Sequence, residues 1–376
     1  MGETASDKWD RTEGDDMQYR ELGASGVEVS EVGFGAWVVG TDWWGDRSDE
    51  QAVGMVENAL DAGVTYIDTG DVYGHGDSER IVGEAIEGRR DEVTLSTKIG
   101  YDFYDNPQAG HGELPKELNE TYLREALDAS LDRLDTDYVD VLQLHNANVD
   151  EVTPEVRDLL SEWKSEGRVR ALGWALGPSI GWLAEGDAAV EYEEFDAVQT
   201  VFNLFEQEPG RHFIDTIRES DSDTSVIARV PHSSGLLNEQ VTPDTVLEDG
   251  DHRSHRPKEW YEAGWEKVEA IRFLENPEDA EGTAGTRTLG QAAIRWLLAH
   301  DEVASVTPTF RDVDDIGEWS AASDVPPITD AEYERLEELY ATNFEIDRDD
   351  GMDALRTSVD GDDIVAAGLD KQAASY

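Results

Sequence analysis

Short apolar runs rich in β-branched residues alternate with amphipathic stretches along most of the 376-residue chain. The runs at 29–36, 65–69, 94–99, 138–145, 170–176, 197–203, 225–230 and 304–308 predict strands. Helical spacing of apolar positions predicts helices at 49–62, 78–87, 120–134, 154–166, 180–191, 211–219 and 287–299. Boundary residues agree with this division: Pro154 stands in the first turn of one such helix and Gly167 just after its last. The strand runs are nearly all apolar rather than alternating, as expected for a parallel sheet whose outer face is covered by helices. Eight such strands with intervening helices predict a single-domain α/β fold, a (β/α)8 TIM barrel. The rival is a Rossmann sheet. Its fingerprint needs three spaced glycines after the first strand, whereas Gly74-His75-Gly76 lacks the third glycine and follows the second strand.

Three segments stand outside the repeat. Residues 1–18 are polar and acidic, with no apolar stretch of the kind a signal peptide carries. Residues 231–276 form a long insertion after the seventh strand, with a polar stretch at 249–258 and a helix at about 259–273. Residues 341–376 are acidic with little periodicity, so the barrel is assigned to 19–340.

Charge changes the picture of the surface. The chain has 30 basic and 86 acidic residues, a net −56. That much charge opposes burial and in a poorer sequence would mean disorder. Here apolar residues make up 38% of the chain and eleven tryptophans are present, so a large core is expected. An acidic, solvated surface whose self-repulsion is screened by salt fits better. Lysine is scarce beside arginine, a pattern that resembles haloarchaeal cytosolic proteins. A surface this negative argues strongly against nucleic acid as a partner, because phosphate binding needs basic patches. No cysteine is present, which excludes disulfides and thiolate chemistry. No run of 18 apolar residues occurs, so no membrane span is expected and the cytoplasm is the expected compartment.

Candidate chemistry gathers at the ends of three neighbouring strands. Asp68 and Tyr73 leave the second, Lys98 the third and His145 the fourth. In a barrel these ends share one mouth, where active sites are built. Taken singly, each has a plain structural reading: Asp68 as a cap, Tyr73 as a packed aromatic, His145 as a core histidine. Lys98 is harder to read that way, since a buried lysine needs a partner. Together they make a proton-transfer set. An ammonium about 4 Å from a phenol stabilises its anion by roughly 4 kcal/mol at an effective dielectric of about 20. Asp68 can hold the lysine's charge inside the barrel, and His145 can place a hydrogen bond on a substrate oxygen. A metal-dependent hydrolase would need several ligands at strand ends, but no His-x-His pair occurs and only His145 ends a strand.

The stretches Tyr66-Ile67-Asp68-Thr69-Gly70-Asp71-Val72-Tyr73-Gly74, Leu95-Ser96-Thr97-Lys98 and Tyr138-Val139-Asp140-Val141-Leu142-Gln143-Leu144-His145 resemble the signature segments of the aldo-keto reductase family. The resemblance spans roughly residues 19–340. It implies a barrel that binds NADPH or NADH across its mouth and reduces small-molecule carbonyl substrates. Tyr73 would be the proton donor, Lys98 and Asp68 its tuning pair, and His145 the residue that orients the carbonyl. Gln199 matches the family's contact to the nicotinamide carboxamide. Ala175 and Leu176 stand where the family has Ser-Asn for the same group, and Arg229 stands where an aromatic ring stacks on the nicotinamide. A guanidinium is planar and can stack in its place. Ser233, Gly235 and Leu236 resemble the pyrophosphate-covering loop. Arg311, Asp315 and Glu318 occupy the adenosine end, where Arg311 can pair a 2′-phosphate while Asp312, Asp314 and Asp315 oppose one. NADPH is the first expectation and NADH the second. Trp37, Trp44 and Tyr104 are expected to wall an apolar substrate pocket. The alternative implied by the resemblance is a nicotinamide-binding regulatory or sensory barrel with little turnover, since some relatives act as subunits of larger assemblies.

Overall fold

The computed structural model describes residues 17–41, 47–104, 114–177, 182–247, 251, 253, 258–275 and 286–346. The chain opens with an antiparallel hairpin, β1 (Tyr19–Glu21) and β2 (Glu28–Ser30). Eight parallel strands follow in sequential order: β3 (Phe34–Gly35), β4 (Tyr66–Asp68), β5 (Thr94–Ile99), β6 (Val139–His145), β7 (Val169–Ala175), β8 (Ala197–Val201), β9 (Ser225–Arg229) and β10 (Val303–Thr307). The ring closes through a parallel bridge between Val32 and Val306. There the Gly33 N–H donates to the Val306 carbonyl and the Val306 N–H to the Glu31 carbonyl, both at 2.8 Å. The expected (β/α)8 barrel is present.

One expected element divides. The run 29–36 reads as one strand, but β2 pairs with β1 and only Phe34–Gly35 pairs with β4. Ser30 makes the break. Its hydroxyl donates to the Val32 carbonyl at 2.7 Å and accepts from the N–H groups of Thr65 and Tyr66 at 3.1 and 3.0 Å, which turns the chain into the barrel wall. Leu22, Val27 and Val29 of the hairpin then pack against Tyr66, Val141, Ala171, Ala197, Ile227 and Ala304, sealing the end opposite the mouth. Apolar residues lie on both sides of the break, so hydropathy alone does not show it.

Helices cover the outside as expected, with ends set by local chemistry. Glu120–Leu134 and Pro154–Glu166 begin at Asn119 and Thr153, whose side chains accept the first free N–H groups. Ser48 with Gln51 and Thr288 with Gln291 form capping boxes at the starts of Asp49–Asp61 and Leu289–Leu298. The insertion carries a helix at Lys258–Ala270, and two further helices, Val313–Ser320 and Asp330–Ala341, follow β10. Among the described residues no helix is long and apolar enough to cross a membrane.

The core holds a histidine buried among aromatic rings. His300 lies among the rings of Trp296, Phe202 and Tyr333, with centroids at 5.2, 5.6 and 5.9 Å, and its Nε2 has no partner. Burial, reinforced by Arg211 and Arg218, lowers its pKa to about 4. The unfolded chain, with a histidine near ~6.5, takes up the proton first as pH falls. Stability is therefore lost below pH ~6.5, at about 1.4 kcal/mol per pH unit for this residue. Denaturant unfolding at pH 7 and pH 5 is expected to show a smaller loss in His300→Phe than in the native chain. Equal losses would mean that His300 does not carry this part of the pH dependence.

Candidate active site

Asp68 ends β4 and accepts from five donors. Lys98 Nζ lies 2.6 Å from its Oδ2, and Gln199 Nε2 reaches the same oxygen at 3.2 Å. Gln143 Nε2, the Ser96 hydroxyl and the Tyr66 hydroxyl reach Oδ1 at 2.8, 3.0 and 3.4 Å. A carboxylate this buried, 6% exposed, is tolerable because its lone pairs are all engaged. Lys98 is fully buried and also donates to the Thr69 carbonyl at 2.6 Å. Burial pushes its pKa down, but Asp68 and the Tyr73 phenol outweigh that, so the ammonium stays above the ordinary lysine value.

Tyr73 and His145 complete the group. Lys98 Nζ is 5.0 Å from the centre of the Tyr73 ring, and the His145 ring stands nearly perpendicular to that ring at 5.6 Å. Trp37 lies 6.2 Å from Tyr73 on another side. The Nδ1 of His145 is buried without a partner, and its pKa is held well below the usual histidine range by burial, then by Lys98, Arg229 and Lys116. The imidazole is thus neutral near pH 7, with one N–H available as a donor. The four residues placed at strand ends by sequence do meet at one mouth.

The Tyr73 turn depends on close backbone approach. Gly74 has φ +61°, and a Cβ there would lie 1.8 Å from the Gly40 carbonyl oxygen at the end of helix Trp37–Gly40. Only glycine fits this contact. Gly74→Ala is expected to cost roughly 1–3 kcal/mol and to reduce turnover by displacing Tyr73. Thermal unfolding and kcat, measured together at fixed salt, check this; unchanged values of both would show that the turn is not held there.

Several site residues were missed from sequence. Tyr66, Ser96 and Gln143 stand two positions before Asp68, Lys98 and His145, so the two-residue strand period turns each pair to the same inner face. That spacing is the signal that could have found them. Behind them, Glu79 is fully buried and accepts from Thr97 Oγ1 at 2.5 Å and Arg133 Nε at 2.7 Å. Asp71 is also fully buried with neither carboxylate oxygen hydrogen-bonded; burial, then Glu79, pushes its pKa well above the usual range.

The candidate coenzyme residues have varied surroundings. Gln199 points into the Asp68 network. Ala175 and Leu176 are buried, and Arg229 donates from Nη2 to the Leu176 carbonyl at 2.8 Å. Ser233 is buried with its hydroxyl on Glu206 at 3.1 Å, Gly235 has φ +94°, and Leu236 packs into the core. Arg311 is held by Asp315, through Nε at 3.0 Å, Nη2 at 3.3 Å and its backbone N–H at 2.9 Å. Arg47 donates to the Arg311 carbonyl at 3.0 Å. Glu318 accepts from Gln291 through its backbone carbonyl at 3.0 Å, and Trp319 packs on His232 at 4.3 Å. Tyr104 is 43% exposed, and its hydroxyl accepts from Arg133 at 3.1 Å, so it sits over the Glu79 cluster. Tyr101 takes the position beside His145 instead, at 4.8 Å. Trp44 lies outside the described residues.

The sequence pattern of the Aldo/keto reductase family matches residues 31–341. Aldo-keto reductase YhdN of Bacillus subtilis is 30% identical over 287 residues, covering 75% of this chain and 81% of its own. A probable voltage-gated potassium channel subunit beta of Arabidopsis thaliana is 30% identical over 339 residues, covering 83% and 93%. The holo form of aldo-keto reductase AKR11C1 from Bacillus halodurans superposes with a TM-score of 0.69 at 27% identity, covering 86% of this chain and 96% of that one. By its sequence and its barrel, the chain belongs to the aldo/keto reductase family of oxidoreductases.

Proposed function

We propose that this chain reduces aldehydes or ketones to alcohols with a nicotinamide coenzyme, using Tyr73 as general acid. The observation that carries the reading is the buried Lys98–Asp68 pair set against the Tyr73 ring, with a neutral His145 edge-on to that ring at 5.6 Å. A substrate oxygen between Tyr73 and His145 accepts a hydrogen bond from the imidazole. As the carbonyl carbon gains a hydride, that oxygen becomes an alkoxide and takes the Tyr73 proton. The Lys98 charge stabilises the phenolate left behind, which is reprotonated from water. Bound coenzyme supplies the hydride.

Gln199, Arg229, Ser233, Gly235, Leu236, Arg311 and Glu318 would hold the coenzyme, and Trp37 would border the substrate. The fit is supported by the planar Arg229 guanidinium, which Nη2 ties to the Leu176 carbonyl and whose face can stack on a ring. NADPH is the preferred coenzyme in this reading, with Arg311 on the 2′-phosphate. Asp315 competes for that guanidinium, so the preference over NADH is expected to be only about tenfold. The acidic surface suits a salt-rich cytoplasm, where about 1 M salt shortens the screening length to about 3 Å.

Oxidation of NADPH and NADH, followed separately at high salt with a panel of aldehydes and ketones, tests the proposal. Steady oxidation that depends on the carbonyl compound supports it. Tight coenzyme binding with no turnover across the panel would favour a regulatory barrel. That second reading draws on Ala175 and Leu176, which remove polar side chains from the end of β7, and on the similarity to a potassium channel subunit.

A further inference from the structure

Arginine in this chain is usually held by carboxylate. Arg20, Arg90, Arg133 and Arg287 meet Glu31, Asp140, Glu79 and Glu332 at 2.8, 2.8, 2.6 and 2.6 Å. Arg229 differs. No carboxylate lies within 4.0 Å of it among the described residues, although the chain has 86 acidic residues to offer. Among the described residues its one hydrogen bond goes to the Leu176 carbonyl at 2.8 Å, so Nε and Nη1 are not spent on them.

The surroundings explain why it stays unclaimed. Arg229 ends β9, in register with Val201 on one side and Thr307 on the other. The two carboxylates its charge faces, Asp68 and Glu206, are already engaged. Asp68 is taken by Lys98, and Glu206 accepts from Asn203 Nδ2 at 2.9 Å and from Ser233 at 3.1 Å. Ala175 and Leu176 offer no polar side chain beside it. Its field reaches Tyr73, Tyr101 and His145, so the guanidinium stands at the reacting end of the barrel. A partly desolvated cation with spare donors and no carboxylate in contact gains from an anion that completes it.

We propose that the substrates of this site are carbonyl compounds bearing a carboxylate, and that Arg229 selects them. The guanidinium edge receives the carboxylate in a paired hydrogen bond while the carbonyl oxygen lies between Tyr73 and His145. Its flat face stays free for a planar ring, so anion recognition and ring stacking do not compete. The inference rests on the carbonyl-reductase reading and adds the substrate class to it. The acidic surface repels such an anion at long range, but about 1 M salt removes that repulsion and screens a desolvated contact much less. Selectivity for the acid is therefore expected to grow with salt.

The test compares succinic semialdehyde with its methyl ester, which has a similar size and no charge, in about 1 M KCl. The native enzyme is expected to favour the acid by about tenfold or more in kcat/KM. In Arg229→Met the acid-to-ester ratio is expected to fall to about one, chiefly through KM, whatever the loss in absolute rate. A second arm measures succinate binding by calorimetry, which needs no turnover; Arg229→Met should weaken it about tenfold. Equal use of acid and ester by the native enzyme would overturn the proposal. So would an unchanged ratio in the variant, or succinate binding that ignores Arg229. Succinate binding that depends on Arg229, without reduction of any aldehyde, would instead overturn the reductase reading and keep the anion site.

Discussion

Tyr73→Phe is expected to lower the rate of carbonyl reduction by roughly 10²–10⁴-fold, the usual worth of a positioned general acid. The substitution removes one hydroxyl and little else. The ring keeps its neighbours His145 at 5.6 Å and Trp37 at 6.2 Å, and Lys98 keeps its pairing with Asp68 at 2.6 Å. Coenzyme affinity should therefore be nearly unchanged, because the loss falls on a group used only when the alkoxide forms. Turnover at saturating coenzyme, paired with a fluorescence titration of NADPH, separates the two effects. Undiminished reduction by the phenylalanine variant would sink the assignment of Tyr73.

The second large effect is expected at Lys98. Lys98→Met removes the cation that the buried carboxylate was built around, leaving Asp68 with neutral donors from Gln143, Ser96, Tyr66 and Gln199. Breaking one half of a buried ion pair typically costs about 3–5 kcal/mol, because the remaining charge stays in a low-dielectric interior. Turnover should fall too, since nothing then stabilises the phenolate as the proton leaves. The double variant Asp68→Asn with Lys98→Met removes both charges and should recover much of the stability but not the rate. Denaturant unfolding of the three proteins checks this. A single variant as stable as the native chain would show that the pair is not held in a low-dielectric site.

The group around Tyr73 was legible because each member has a local signature. Asp68 and His145 close strand runs, Lys98 stands one residue before the end of its own, and Tyr73 follows Asp68 within one short turn. Topology alone then brings neighbouring strand ends to one mouth. The residues on the inner face one step back, Tyr66, Ser96 and Gln143, were legible in principle from the two-residue period. They were passed over because each is ordinary in a strand until Asp68 is known to need donors. Asp71 was hidden differently: a carboxyl in a turn normally faces water, and only the packing buries it.

The surroundings of the candidate coenzyme residues depended on long-range pairing. Gln199 meets Asp68 across 131 positions, and Arg229 meets Leu176 across 53. The partner that holds Arg311 was in plain view at Asp315, but whether those charges would pair or both face a phosphate is a matter of geometry. Tyr104 illustrates the same limit. Its aromatic neighbourhood is local, but the contact of its hydroxyl with Arg133, which also holds Glu79, is not.

By itself, the sequence determined the barrel, the order of its strands, most helix ends and the four residues at the mouth. These follow from periodicity, capping and the position of polar groups at strand ends, all of them local. The tertiary structure decided that Ser30 splits the first apolar run to seal the barrel floor, that five donors converge on Asp68, and that Arg229 touches no carboxylate among the described residues. Those features come from distances between residues far apart in the chain, and charge and hydrogen bonding act through distance in space.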